Sequence, residues 1–216
     1  MNRKLVAPSI LGCHQGRLST EAGNLQAAGA DMIHLDVMDG VFVPVLTVGA
    51  GVAEAVVKAV DIPVDAHLMV QRPDNLLDAF MNAGCQFITV HYEVAPHLDR
   101  LLQRIRQGGC GAGVAVNPST SVDFLRWAAP AVDLLLVMTV NPGYGGQKHL
   151  DYVRGKISRA RELLDAYGSP EALVSVDGGV NANNAGLLRE LGADLLVSGS
   201  YVTGSPDPKS AMEKLR

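Results

Sequence analysis

The residues best suited to chemistry in this chain are His34 and Asp36 in His34-Leu-Asp-Val-Met-Asp-Gly40, His67 in Asp65-Ala-His-Leu-Met69, and Asp177 in Val174-Ser-Val-Asp-Gly-Gly179. Each stands within or directly after a short apolar run. Residues two apart on a strand point the same way, so His34, Asp36 and Met38 share one face, as do His67 and Met69 on the following run. Neutral imidazole and carboxylate are the usual donors for zinc and other first-row divalent ions, and a site with room left for substrate oxygens is catalytic. Singly, each of these side chains would serve equally well to satisfy a backbone group at a strand end. Two imidazoles and two carboxylates together point to a metal. By contrast, His14, His91, His97 and His149 lack such a pattern and are read as surface or supporting residues. Asp31, Asp39, Asp65 and Asp194 are read as turn or strand-end residues.

Glycine forms the second group, in Asn141-Pro-Gly-Tyr-Gly-Gly-Gln147, Asp177-Gly-Gly179 and Ser198-Gly-Ser200. Glycine lets backbone N–H groups come close to an anion, whereas a lone Gly pair usually marks only a turn. No segment matches a P-loop or a dinucleotide fingerprint. Met38, Met69 and Met138 are core filler by position alone. Their closeness to the candidate metal residues gives them a second reading, as uncharged lining that excludes water from the site.

The elements that must position these residues follow from hydrophobic periodicity. Eight short apolar runs recur: Leu5–Ile10, Met32–Val37, Pro63–Met69, Phe87–Tyr92, Ala112–Asn117, Leu134–Thr139, Ala172–Val176 and Asp194–Ser198. An amphipathic stretch follows each, as expected of βα units around a parallel sheet. Turns at Gly29, Gly84 and Gly192 end several of those stretches. An open doubly wound sheet would alternate in the same way. The count of eight, with long Gly- and Pro-rich loops at Met38–Gly51 and Val140–Gln147, favours one (β/α)8 TIM barrel spanning residues 1–216. In such barrels the active site lies on the loops after the strands, and phosphate rests after strands seven and eight, where Gly178, Gly179, Gly199 and Ser200 fall.

Composition narrows the function classes. The chain has 216 residues, 48% of them apolar, and a formal charge of −4 with its basic residues scattered. Nothing resembles the basic patch that would release counterions from nucleic acid. No apolar stretch reaches the length of a membrane span, and the opening Met-Asn-Arg-Lys has no signal-peptide pattern. Three widely spaced cysteines fit a reduced cytoplasmic chain.

The sequence resembles the ribulose-phosphate 3-epimerase family through Ala7-Pro-Ser-Ile10, His34-Leu-Asp-Val-Met-Asp-Gly-Val-Phe-Val-Pro44, Asp65-Ala-His-Leu-Met69, Val137-Met-Thr-Val-Asn-Pro-Gly-Tyr-Gly-Gly-Gln-Lys148 and Val176-Asp-Gly-Gly-Val180. The resemblance runs nearly end to end and independently implies a ribulose-phosphate-binding barrel. It implies that His34, Asp36, His67 and Asp177 hold one divalent ion per subunit, zinc first, with iron, manganese or cobalt as alternatives. It implies that Asp36 and Asp177 exchange protons with the substrate and that Ser9 and His67 contact it. Gly143, Tyr144, Gly145, Gly146, Gly178, Gly179, Gly199 and Ser200 are the implied remaining contacts, chiefly to phosphate. The implied reaction inverts C3 of D-ribulose 5-phosphate through an enediolate, in a homo-oligomer, dimer or hexamer.

Departures from the family pattern bear on the substrate. Val45 stands where the family usually has Asn, Leu11-Gly-Cys-His14 replaces a Ser-Ala-Asp loop, and Ser198-Gly-Ser-Tyr-Val-Thr203 replaces Ala-Gly-Ser-Ala-Ile-Phe. A hexulose 6-phosphate such as allulose 6-phosphate is the alternative substrate. Related lyases with an Asp-x-Lys-x-x-Asp signature lack a match, because the same region here reads His34-Leu-Asp-Val-Met-Asp39. A non-catalytic sugar-phosphate-binding barrel would be favoured had one of the acids or metal residues been missing.

Overall fold

A computed structural model describes residues 4–216; the first three residues of the expected domain span lie outside the described residues. Eight strands alternate with helices and form one parallel sheet: β1 (Leu5–Pro8), β2 (Ile33–Met38), β3 (Val64–Met69), β4 (Phe87–His91), β5 (Gly111–Val116), β6 (Leu134–Met138), β7 (Leu173–Asp177) and β8 (Leu195–Ser198). Seven adjacent pairs run β1-β8-β7-β6-β5-β4-β3-β2. The remaining seam, between β1 and β2, is closed by a parallel bridge from Ser9 to His34 and by the Asp31 N–H, which donates to Val6 O at 3.0 Å. The result is the expected (β/α)8 TIM barrel.

Every predicted run contains a strand, with ends displaced by one or two residues. The largest shift is at β1. There the Ser9 hydroxyl accepts from the Leu11 N–H at 3.3 Å and starts a single 3-10 turn over Ile10–Gly12, which removes Ile10 from the strand. Tyr92, Asn117 and Thr139 likewise fall just beyond their strands. In the other direction, Met38 and Asp177 prove to be the last residues of β2 and β7. That places both at the carboxyl end of the barrel. Gly29, Gly84 and Gly192 have the left-handed backbone expected of their turns.

Two layers of side chains hold the fold. Outside the barrel, helices such as α4 (Leu98–Gln107) bury one stripe, here Leu101, Leu102 and Ile105, and leave the opposite face charged. Each fully buried side chain of this size contributes about 1.5–3 kcal/mol. Inside, the barrel is divided. Ala7, Ala115, Leu134, Leu136, Met138, Leu173, Leu195 and Val197 form an apolar cluster contributed by β1 and β5 to β8. The interior of β2, β3 and β4 instead carries His34, Asp36, Asp65, His67, Thr89 and His91, all buried. This polar half sets up the site. Among the described residues no helix is long and apolar enough to cross a membrane.

Candidate active site and metal centre

The polar half is held together by strand register. Pairing of β2 with β3 sets Asp36 beside His67 and His34 beside Asp65, and pairing of β6 with β7 sets Met138 beside Asp177. One donor atom from each of His34, Asp36, His67 and Asp177 lies within 4.8 Å of the others. His34 Nε2 faces His67 Nδ1 at 3.2 Å, and both turn toward Asp36 Oδ1, at 3.4 and 3.1 Å respectively. A tetrahedral or octahedral ion with bonds near 2.1 Å separates adjacent donors by about 3.0–3.4 Å, so the imidazole edge fits such an ion. Two ring nitrogens and two carboxylates make up a donor set suited to zinc and its neighbours.

The electrostatics favour the same occupant. Burial drives the His67 imidazole down to about 4 against the pull of Asp36. Burial also works against charge on His34, but Asp36 and Asp65 outweigh it and raise its affinity for a proton well above the ordinary value. A divalent ion bound there would take the place of that proton as the positive partner of Asp36. The two catalytic candidates differ sharply. Burial and the nearby Asp36 charge push the Asp177 carboxyl up to about 7. Asp36 is buried too, yet His34 and His67 hold its carboxyl below the usual carboxylate range. Near neutral pH Asp36 is therefore ionised, whereas Asp177 holds its proton far more readily.

Above this cluster opens a cavity of about 350 Å³ lined by Asp36, Asp177, Ser9, Met38, Met69 and Met138. On its far wall are Gly143, Tyr144, Gly145, Gly146, Gly178, Gly179, Gly199 and Ser200. His34 and His67 lie beneath the floor and are fully buried. The Ser9 hydroxyl donates to Asp36 Oδ2 at 2.6 Å, which fixes the carboxylate while leaving Ser9 on the cavity wall. Gly178 and Gly179 have φ of +127° and +63°, and a Cβ on either would lie 2.7 Å from the Val140 nitrogen or 2.5 Å from the His149 nitrogen. Backbone thus approaches backbone there more closely than any side chain permits. Gly179→Ala is expected to lower stability by about 2 kcal/mol or more, a fall of roughly 4–8 °C in Tm for a chain of this size, and to raise KM for a phosphorylated substrate. Thermal unfolding and initial rates on the same preparation check both.

The residues set aside in the sequence divide. Asp39 is a turn residue, accepting from the N–H groups of Val41 and Phe42 at 2.8 and 2.9 Å, and Asp31 and Asp194 accept from strand N–H groups. His14 is exposed and caps Gly16. His149 accepts no such surface role: it is buried, with Nδ1 donating to Gly178 O at 3.1 Å. Asp65 departs from its reading as a turn or strand-end residue. Its carboxylate is buried in the barrel, 3.0 Å from His34 Nδ1, and accepts from Thr89 Oγ at 2.7 Å. Strand parity carried the signal, since Asp65, His67 and Met69 alternate on one face. His91 is fully buried beside His67, as a supporting residue, and binds Glu93, which the sequence reading did not single out. Val45 does not line the cavity; it packs with Leu11 and Phe42 on Met38, Val43 and Met69.

A parallel barrel that gathers acids, imidazoles and a glycine cradle at the carboxyl ends of its strands defines a TIM-barrel enzyme for a small anionic substrate. The family model described as the ribulose-phosphate 3 epimerase family matches residues 5–203. The chain is 46% identical to the ribulose-phosphate 3-epimerase of Bacillus subtilis strain 168, covering 98% of this chain and 97% of that one. It is 39% identical to the enzyme of the same name from Escherichia coli K12, covering 100% and 96%. The chain belongs to the ribulose-phosphate 3-epimerase family and is an enzyme of that type. Solved structures similar in fold include a 3-hexulose-6-phosphate synthase, with a TM-score of 0.71, 19% identity and coverage of 98% and 97%. Another is orotidine 5'-phosphate decarboxylase from Pyrococcus horikoshii, with a TM-score of 0.70, 14% identity and the same coverage.

Proposed function

We propose that this enzyme interconverts D-ribulose 5-phosphate and D-xylulose 5-phosphate, with Asp36 and Asp177 as the two proton-transfer groups and His34, Asp36, His67 and Asp177 as ligands of one divalent ion, zinc by first choice. The observation that carries the reading is the pair of carboxylates at one cavity, from strands three positions apart around the barrel and with opposed proton affinities. A bound divalent ion would stabilise the negative charge that develops on the ketose oxygens as the adjacent carbon loses its proton.

The rest falls to the chain itself. Ionised Asp36, oriented by Ser9, removes a proton from C3 on one face of the sugar, and protonated Asp177 supplies one to the other face. Reversal of these roles runs the reaction backward. The enediolate between the two steps is flat, and Met38, Met69 and Met138 offer it an uncharged surface from which water is excluded. The amides around Gly178, Gly179, Gly199 and Ser200, with the loop from Gly143 to Gly146, receive the phosphate and set the distance from phosphate to C3. We read the whole chain as one domain of a cytoplasmic homo-oligomer, in keeping with the family.

The test is to follow ribulose 5-phosphate by NMR in heavy water with metal-loaded protein. The expected result is formation of xylulose 5-phosphate with deuterium entering at C3. Conversion without deuterium at C3 would sink the two-aspartate mechanism. Turnover of allulose 6-phosphate in place of ribulose 5-phosphate would keep the mechanism and reassign the substrate.

A further inference from the structure

A chain of hydrogen bonds leaves the site through residues that do not line the cavity. His67 presents Nδ1 to His34 and Asp36, and its other nitrogen, Nε2, lies 2.9 Å from Nε2 of His91. The far nitrogen of His91, Nδ1, lies 3.1 Å from Glu93 Oε2. The second carboxylate oxygen of Glu93 accepts from the Asn117 N–H at 2.8 Å and from the Thr120 hydroxyl. His67 and His91 are both fully buried, and the Phe42 ring covers His91 with centroids 4.8 Å apart.

The end of this chain determines the protons along it. Against the cost of burial, bonds from His91, Thr120 and the Asn117 N–H hold Glu93 ionised, and an ionised carboxylate can only accept, so His91 Nδ1 carries its hydrogen and points it at Glu93. His91 Nε2 is then bare and accepts from His67 Nε2–H. His67 Nδ1 is left with its lone pair turned into the cluster of candidate ligands. We propose that His91 and Glu93 are positioning residues that fix the tautomer of His67 and raise its strength as a metal ligand. The inference rests on the metal reading of the site. It differs from an ordinary carboxylate–histidine pair in that the negative charge acts through an intervening imidazole. The strands explain the need: β4 lies next to β3, and Thr89, the residue opposite His67 in register, has its hydroxyl committed to Asp65.

The experiment measures zinc affinity by competition with a chelator for the wild-type protein, His91→Gln and Glu93→Gln, alongside thermal unfolding of each metal-free protein. Outer partners of this kind typically contribute about 10–100-fold to metal affinity, and both variants are expected to bind zinc that much more weakly. The exposed Glu54→Gln, which breaks only a surface pair with Lys58, is expected to leave zinc affinity unchanged. Nitrogen NMR of the zinc-loaded wild type supplies a second readout that needs no variant, and should find His91 protonated on Nδ1 and bare on Nε2. Zinc affinity unchanged in both folded variants, or His91 protonated on Nε2, overturns the proposal while leaving the metal site standing. A wild-type protein that takes up no divalent ion overturns both.

Discussion

Asp36→Asn and Asp177→Asn enzymes are each expected to lose at least about a thousandfold in turnover, because general acid or base catalysis alone contributes about 10²–10⁴-fold and the same carboxylates are candidate metal ligands. Loss of the ion would imitate loss of the proton-transfer group, so zinc content belongs beside every rate. The sharper readout is exchange without conversion. With Asp177 neutralised, Asp36 can still remove and return a proton on its own face, and only one epimer carries its C3 hydrogen there. Each variant that retains metal should therefore exchange C3 hydrogen with solvent in one epimer only, and the two variants should choose opposite epimers. Exchange of both epimers by a single variant would mean that one residue serves both faces.

Removal of the ion should have an effect of similar size. Protein treated with a chelator is expected to lose at least about a hundredfold in activity, since charge stabilisation by a metal is worth several kcal/mol. Added zinc should restore it. Stability should respond as well, because an ion that binds only the folded chain at a hundred times its Kd contributes about 2.7 kcal/mol, or roughly 5–10 °C in Tm for a chain of this length. His34→Ala should abolish that rise. A chelated enzyme with full activity and an unchanged melting curve would remove the metal from the mechanism.

Much of this architecture was legible in the residues. Eight apolar runs became eight strands, because a strand buried on both faces must be apolar almost throughout. The displaced ends have local causes that periodicity does not carry, as at Ser9, where a hydroxyl cap turns the chain out of the sheet. Strand parity foresaw His34 and Asp36 on a common face, and applied to Val64–Met69 it would also have placed Asp65 inside. Glu93 was beyond that rule. It lies past the end of β4 in a 3-10 turn, and what brings it to His91 is a loop packing against Asn117 and Thr120 from the next unit. Val45 departs from the family pattern without touching the cavity. Its position behind Met38 and Met69 ties it to the wall of the cavity instead of its surface.

The weakest seam of the barrel is also the edge of the site. Between β1 and β2 no regular ladder forms, and the bridge from Ser9 to His34 together with the bond from Ser9 to Asp36 joins the two strands where the sheet would otherwise part. One of the bonds across that seam, from the Ser9 hydroxyl to Asp36, is thus made by side chains assigned to chemistry. A gene copy drifting toward a new substrate cannot discard that bond cheaply, whereas Leu11, Gly12, Tyr144 and Tyr201 border the same cavity on a 3-10 turn, a loop and a short helix outside the sheet. Substitutions that change the substrate are therefore expected at the rim, above a barrel base that they leave intact.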